Sequence, residues 1–113
     1  MTRSEILGLS KMSGAEAQNV LIANGIIHMT DIRYDYGVVR RAESLADLAD
    51  RLWREGGNGY PSRETQKSMR IVYFLHHPDI DEVSLDTLVF WFLFESLPIH
   101  RIQAALLAKE SPK

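Results

Sequence analysis

Ser44-Leu45-Ala46-Asp47-Leu48-Ala49-Asp50-Arg51-Leu52-Trp53-Arg54 decides the reading of this chain. Leu45, Leu48, Ala49, Leu52 and Trp53 recur at i, i+3, i+4, i+7 and i+8, while Asp47, Asp50, Arg51 and Arg54 take the other side. That spacing is a helix with one apolar stripe turned to a core, and Ser44 supplies a hydroxyl to cap it. The glycine-rich run Gly56-Gly57-Asn58-Gly59 stops it.

Upstream, Thr2 with Glu5 and Ser13 with Glu16 have capping-box spacing, in which hydroxyl and carboxylate satisfy each other's orphan backbone N–H groups. Two short helices are expected. The second runs from about Gly14 to Asn24 and buries Ala17, Val20 and Leu21, with Gly25 suited to the left-handed position beyond its end. Residues 26–41 are rich in β-branched and tyrosine side chains and hold a turn candidate, Asp35-Tyr36-Gly37. They form the best hairpin candidate, with Ile32, Tyr34, Tyr36 and Val38 expected on one side of the pleat; an extended loop is the alternative.

Downstream, Pro61 and Ser62 restart the chain, and a helix is expected to reach roughly His76 before Pro78 interrupts. Asp79-Ile80-Asp81-Glu82 reads as the next start signal, with Asp79 as cap. Residues 85–97 are apolar at nine of thirteen positions, including Phe90, Trp91, Phe92 and Phe94. A helix apolar nearly all round is expected to be covered on nearly all sides. Pro98 then opens a final helix in which Ile99, Ile102 and Leu106 repeat to about Lys109, and residues 111–113 are expected to fray. The reading is mainly α: a single compact domain over 1–113, of about five to six helices, with a small β-hairpin at 26–41.

At 113 residues, with 45% hydrophobic and 25% charged positions, the chain suits one globular core. Thirteen Lys and Arg against fifteen Asp and Glu leave a charge of -2, so no global basic excess draws it to phosphate or anionic lipid. It has no cysteine, which removes disulfides, thiolate metal sites and cysteine nucleophiles. No apolar run approaches the roughly 20 residues that span a bilayer, and a soluble, cytoplasmic protein with no membrane partner is expected.

Charge is polarised along the chain. Residues 71–97 hold five acids and no Lys or Arg; residues 40–70 hold seven bases against five acids. On the helix after Ser62, Arg63, Lys67 and Arg70 share a face with Phe74. This basic stripe suits phosphates or an acidic partner, or else is a solvated face paired with the acidic segment. The N-terminal helix pair invites a helix-turn-helix reading with Gln18 and Asn19 as base readers. Against it, no Lys or Arg lies between Met12 and Arg33, so the phosphate term is missing and a packing pair is the plainer account.

His76-His77-Pro78-Asp79-Ile80-Asp81-Glu82 is the densest set of metal-ligand types, yet adjacent histidines point to different helix faces, and a helix end followed by a new start explains it. The nine serines lack a G-x-S-x-G elbow, and the glycine run lacks the Lys-Ser/Thr of a phosphate loop. No motif calls for a cofactor or a metal, and none marks an enzyme.

In size and economy the chain resembles the small helical accessory proteins of phages and plasmids that bind and regulate something larger, a likeness carried by no motif. The expected function is a non-enzymatic regulator or inhibitor acting by protein–protein binding. Arg63, Lys67, Arg70 and Phe74 would form a polar contact face, with Trp91 and Phe94 as apolar anchors. The aromatic helix 85–97 is a core helix that also offers a surface for a partner or a homodimer. The alternative is a nucleic-acid-binding transcriptional regulator using Arg40, Arg41, Arg63, Lys67 and Arg70.

Overall fold

The computed structural model describes residues 1–56 and 61–110; the expectations for Gly57, Asn58, Gly59 and residues 111–113 lie outside them. The protein is 64% helical with a small two-stranded antiparallel sheet. Local chemistry places most of the boundaries. Helix α1 (Arg3–Gly8) carries the full capping box: Thr2 Oγ1 accepts from the Glu5 N–H and the Glu5 carboxylate accepts from the Thr2 N–H. After a 3₁₀ turn, Leu9–Lys11, Ser13 caps α2 (Gly14–Ala23). Gly25 follows at φ +71°, the left-handed region that costs a Cβ-bearing residue most. Ser44 caps α3 (Leu45–Glu55) and Ser62 caps α4 (Arg63–His76), each through the backbone N–H three residues on.

Between α2 and α3 the chain forms the hairpin, β1 (Met29–Tyr34) and β2 (Gly37–Ala42), with Tyr34 opposite Gly37 and Met29 opposite Ala42. Gly37 sits at φ +145°, which the tight turn demands. The register corrects one expectation. Ile32 pairs with Val39 and Arg33 with Val38, so Val38 lies on the opposite face from Ile32 and Tyr34. Nearly every hairpin side chain is exposed, and the hairpin adds little to the core.

Asp79 caps nothing. Ser84 caps α5 (Leu85–Phe90), with its hydroxyl accepting from the Thr87 N–H. The chain then widens into a single π turn, Trp91–Glu95, closed by the Ser96 N–H on the Trp91 carbonyl at 2.8 Å. Helix α6 (Pro98–Glu110) completes the fold.

The buried side chains form one cluster, and α6 is its axis. Every residue from Ile99 to Leu107 is buried except Arg101, which is half-buried. Helices α1, α3 and α4 all pack against α6. The helix covered on nearly all sides is therefore α6 and not residues 85–97, which bury Leu88, Trp91 and Phe92 but leave a face in water. Gln103, fully buried on α6, donates from Nε2 to the Ile6 and Leu7 carbonyls at 3.0 and 3.1 Å, satisfying the free carbonyl end of α1. Among the described residues, no helix is long and apolar enough to cross a membrane.

Candidate functional site

The outer face of α5 and the π turn carries Phe90, Leu93 and Phe94, and the connector before α6 carries Leu97; in chain order they are exposed to 53%, 41%, 73% and 63%. Phe90 and Phe94, with rings 5.0 Å apart, form a ridge with Leu93 along the π turn, and Leu97 follows just beyond the extended Ser96. At its far end Leu97 forms the lip of a groove of about 220 Å³ lined also by Leu9, Met12, Ala17, Leu45 and Ile99. Four large apolar side chains in water on one strip stand out from the single exposed apolars of any protein surface.

The reverse face fixes the ridge. Phe92 is fully buried and stacks on Trp53. Trp91 is only 9% exposed and is enclosed by rings: Tyr73 and His77 edge-on at 5.4 and 5.2 Å, and His100 stacked at 5.3 Å. Of the two expected apolar anchors, the structure keeps Phe94 on the surface and places Trp91 in the core. The other large apolar side chains exposed beside Phe94, which the sequence reading did not single out as anchors, are Phe90, Leu93 and Leu97. Their signal was the phase set by Leu88, Trp91 and Phe92, which a uniformly apolar run conceals.

His100 ties the ridge to α6. Its Nδ1 accepts from the Leu97 N–H at 3.1 Å, so that nitrogen must be unprotonated. Burial, and then the His76 ring 4.2 Å away, push its pKa down to about 4. Burial also lowers His76, with His77 adding to the effect. His77 is committed elsewhere, its Nδ1–H donating to the Tyr73 carbonyl at 2.9 Å. Among the described residues no three His, Asp or Glu side chains converge to hold a metal.

The basic stripe forms on α4 as its spacing implies. Arg63 and Lys67 are exposed and Arg70 and Phe74 half-buried, and among the described residues none of the three cations forms an ion pair. Arg70 and Phe74 form one wall of an open cleft whose other wall is Asp81, Glu82, Val83 and Ser84. The acidic segment thus faces one end of the stripe without neutralising it. Arg40 and Arg41 sit apart from this helix on β2, where Arg40 Nε meets the Asp31 carboxylate at 3.2 Å. The helix-turn-helix reading loses a reader, because Gln18 donates from Nε2 to the Glu43 carbonyl at 3.0 Å and holds the hairpin base.

That base is a polar clamp. Arg51 on α3 donates from Nε and Nη2 to the two Glu43 carboxylate oxygens, both at 2.9 Å, and from Nη2 to the Ile26 carbonyl at 2.9 Å. Glu43 also accepts from the His28 N–H. The Arg51 hydrogen bonds hold the Glu43 carboxyl below its usual range against the opposing effect of burial. Beyond the clamp the hairpin extends to a tip where the Tyr34 and Tyr36 rings stack 5.1 Å apart, Tyr36 being 82% exposed.

Comparison with known protein families, curated proteins and solved structures finds no match for this chain.

Proposed function

We propose that the protein is a small non-catalytic regulator or inhibitor that works by binding another protein, with the ridge Phe90, Leu93, Phe94 and Leu97 as its contact face. The observation that supports this is the exposure of four large apolar side chains, three on a helical segment whose reverse is locked into the core and Leu97 just beyond it. Such a ridge loses little side-chain freedom beyond its own rotamers on docking, so most of its apolar burial is available for affinity. The partner's chemistry follows from charge. Residues 71–97 carry five acids and no Lys or Arg, and Asp86 lies one turn before Phe90 on the same face. A partner with an apolar cleft and a basic rim complements that surface, whereas a second ridge would set acid against acid.

A second reading rests on the cations Arg63, Lys67 and Arg70, which form no ion pair among the described residues and suit phosphate contacts on a nucleic acid.

The test is affinity capture from host lysate with and without nuclease, comparing wild type, Phe94→Asp and Arg63→Glu/Arg70→Glu. Retention of a defined protein after nuclease, lost in Phe94→Asp alone, supports the ridge. Recovery that survives Phe94→Asp, or that collapses with nuclease, overturns it. Binding of about three phosphates by these three cations would then show a log–log salt slope of about -2.7.

A further inference from the structure

The hairpin has two open edges, and they differ in kind. The outer edge of β2 presents Val38, Val39, Arg40 and Arg41, with adjacent arginines of the sort that keep edges from pairing. The outer edge of β1 presents Thr30-Asp31-Ile32-Arg33-Tyr34, in which opposite charges flank a central isoleucine. β2 is its only strand partner among the described residues.

Backbone parity settles which groups face outward. The Glu43 N–H donates to the His28 carbonyl at 2.9 Å, so position 28, and with it 30, 32 and 34, directs its backbone groups toward β2. Met29, Asp31 and Arg33 therefore point their N–H and C=O groups away from β2 and leave them unpaired by any strand. A second strand laid antiparallel must match outward residues with outward residues. For two copies related by a two-fold axis, that centres the pairing on one residue. Centred on Asp31 it sets Asp31 against itself, and centred on Arg33 it sets Arg33 against itself and Asp31 against Asp35. Centred on Ile32 it sets Asp31 against Arg33 of the second copy, twice, both as hydrogen-bonded pairs.

We propose that the β1 edge is a self-complementary docking surface for a second copy of this chain, joining the two hairpins into a four-stranded antiparallel sheet about a two-fold axis at Ile32. On one face each Asp31, already beside Arg40 of its own chain, gains an Arg33 from the other. On the other face the two Ile32 side chains meet, and Thr30 lies against Tyr34. An isolated two-stranded hairpin is marginal in water, and four strands remove that weakness. This surface is separate from the ridge, so either can fail without the other.

The chain lacks cysteine, which makes a single introduced thiol diagnostic. In this pairing Ile32 faces itself across a non-hydrogen-bonded pair, where Cα atoms are about 4.5 Å apart and a disulfide can form. The expected result is that Ile32→Cys forms a covalent dimer under mild oxidation while Val39→Cys, on the same face but the neighbouring strand, does not. By sedimentation, wild type dimerises and Arg33→Asp, which sets acid against acid at both pairs, weakens dimerisation about tenfold or more. Arg33→Lys and Phe94→Asp retain it, with far-UV circular dichroism verifying that each variant is folded. A wild type that stays monomeric, crosslinking at Cys-substituted 32 no faster than at 39, or a dimer indifferent to Arg33→Asp overturns the proposal.

Discussion

The ridge and the hairpin both hold large apolar side chains in water, and they are held there by opposite means. The ridge is the outer half of a segment whose inner half, Leu88, Trp91 and Phe92, lies in the core, so hydrophobic burial fixes its position. The hairpin buries almost nothing and is anchored at its root by Arg51, Glu43, Gln18 and the Ile26 carbonyl. A surface backed by close packing is rigid and responds little to salt, with His100 behind Trp91 as its acid-sensitive contact. A surface backed by a charge-assisted clamp moves when the clamp is titrated or cut.

The largest effect that tests this contrast is on the ridge's reverse face. Phe92→Ala should cost about 3–5 kcal/mol by combined transfer and cavity terms, whereas Phe94→Ala, two residues away, should change stability by under about 0.5 kcal/mol. Urea denaturation of both variants measures this, and equal losses would remove the distinction between inner and outer faces. Next, Arg51→Ala strands the Glu43 carboxylate and should cost about 2–3 kcal/mol. Hydrogen exchange should show the loss concentrated in β1 and β2, with α4 and α6 still protected; uniform loss would make the clamp part of the core.

Acid should separate the two regions by pH. The folded pKa of His100 is pushed down to about 4 from an ordinary 6.5, so the unfolded chain takes up the proton first. Its contribution is complete above pH 6.5 and is lost as pH falls from 6.5 to 4, roughly 3 kcal/mol in all. Glu43 is depressed below the ordinary carboxylate value of 4.5, so its contribution persists above that pH and is lost as pH falls through the lower folded value. Thermal melts should therefore decline first through His100, and His100→Gln should flatten that decline; an unchanged slope would exclude His100 as its source. The smallest expected stability change is Arg63→Glu/Arg70→Glu, within about 0.5 kcal/mol, because neither cation holds an ion pair among the described residues.

The parts of the fold that were legible are those set by neighbours in sequence. Thr2, Ser13 and Ser44 cap their helices as read, though Ser13 shows only the hydroxyl half of the capping box, because a cap needs only a hydroxyl and an N–H three residues on. Asp79 misled for the same reason: an acid after a proline mimics a start, but only Ser84 leads directly into residues that the core can bury in helical phase. The strand faces misled because the pleat was carried through the turn, whereas a two-residue loop sets Tyr34 against Gly37 and sends Val38 to the other face. At the site, the basic stripe was legible from its spacing. The ridge was legible only as a segment. In an uninterrupted apolar run nothing marks which flank meets the core, and α6, studded with His100, Arg101 and Gln103, gave no hint that it was the more enclosed helix.

That central helix also bears on the order of synthesis. α1, α3 and α4 pack chiefly against α6, which leaves the ribosome after all of them, and Gln103 reaches back nearly a hundred positions to the carbonyls of Ile6 and Leu7. The nascent chain thus carries Ile6, Leu48 and Met69 without their counterpart until α6 is out. Folding is expected to be late and abrupt, with the incomplete chain a natural client of chaperones.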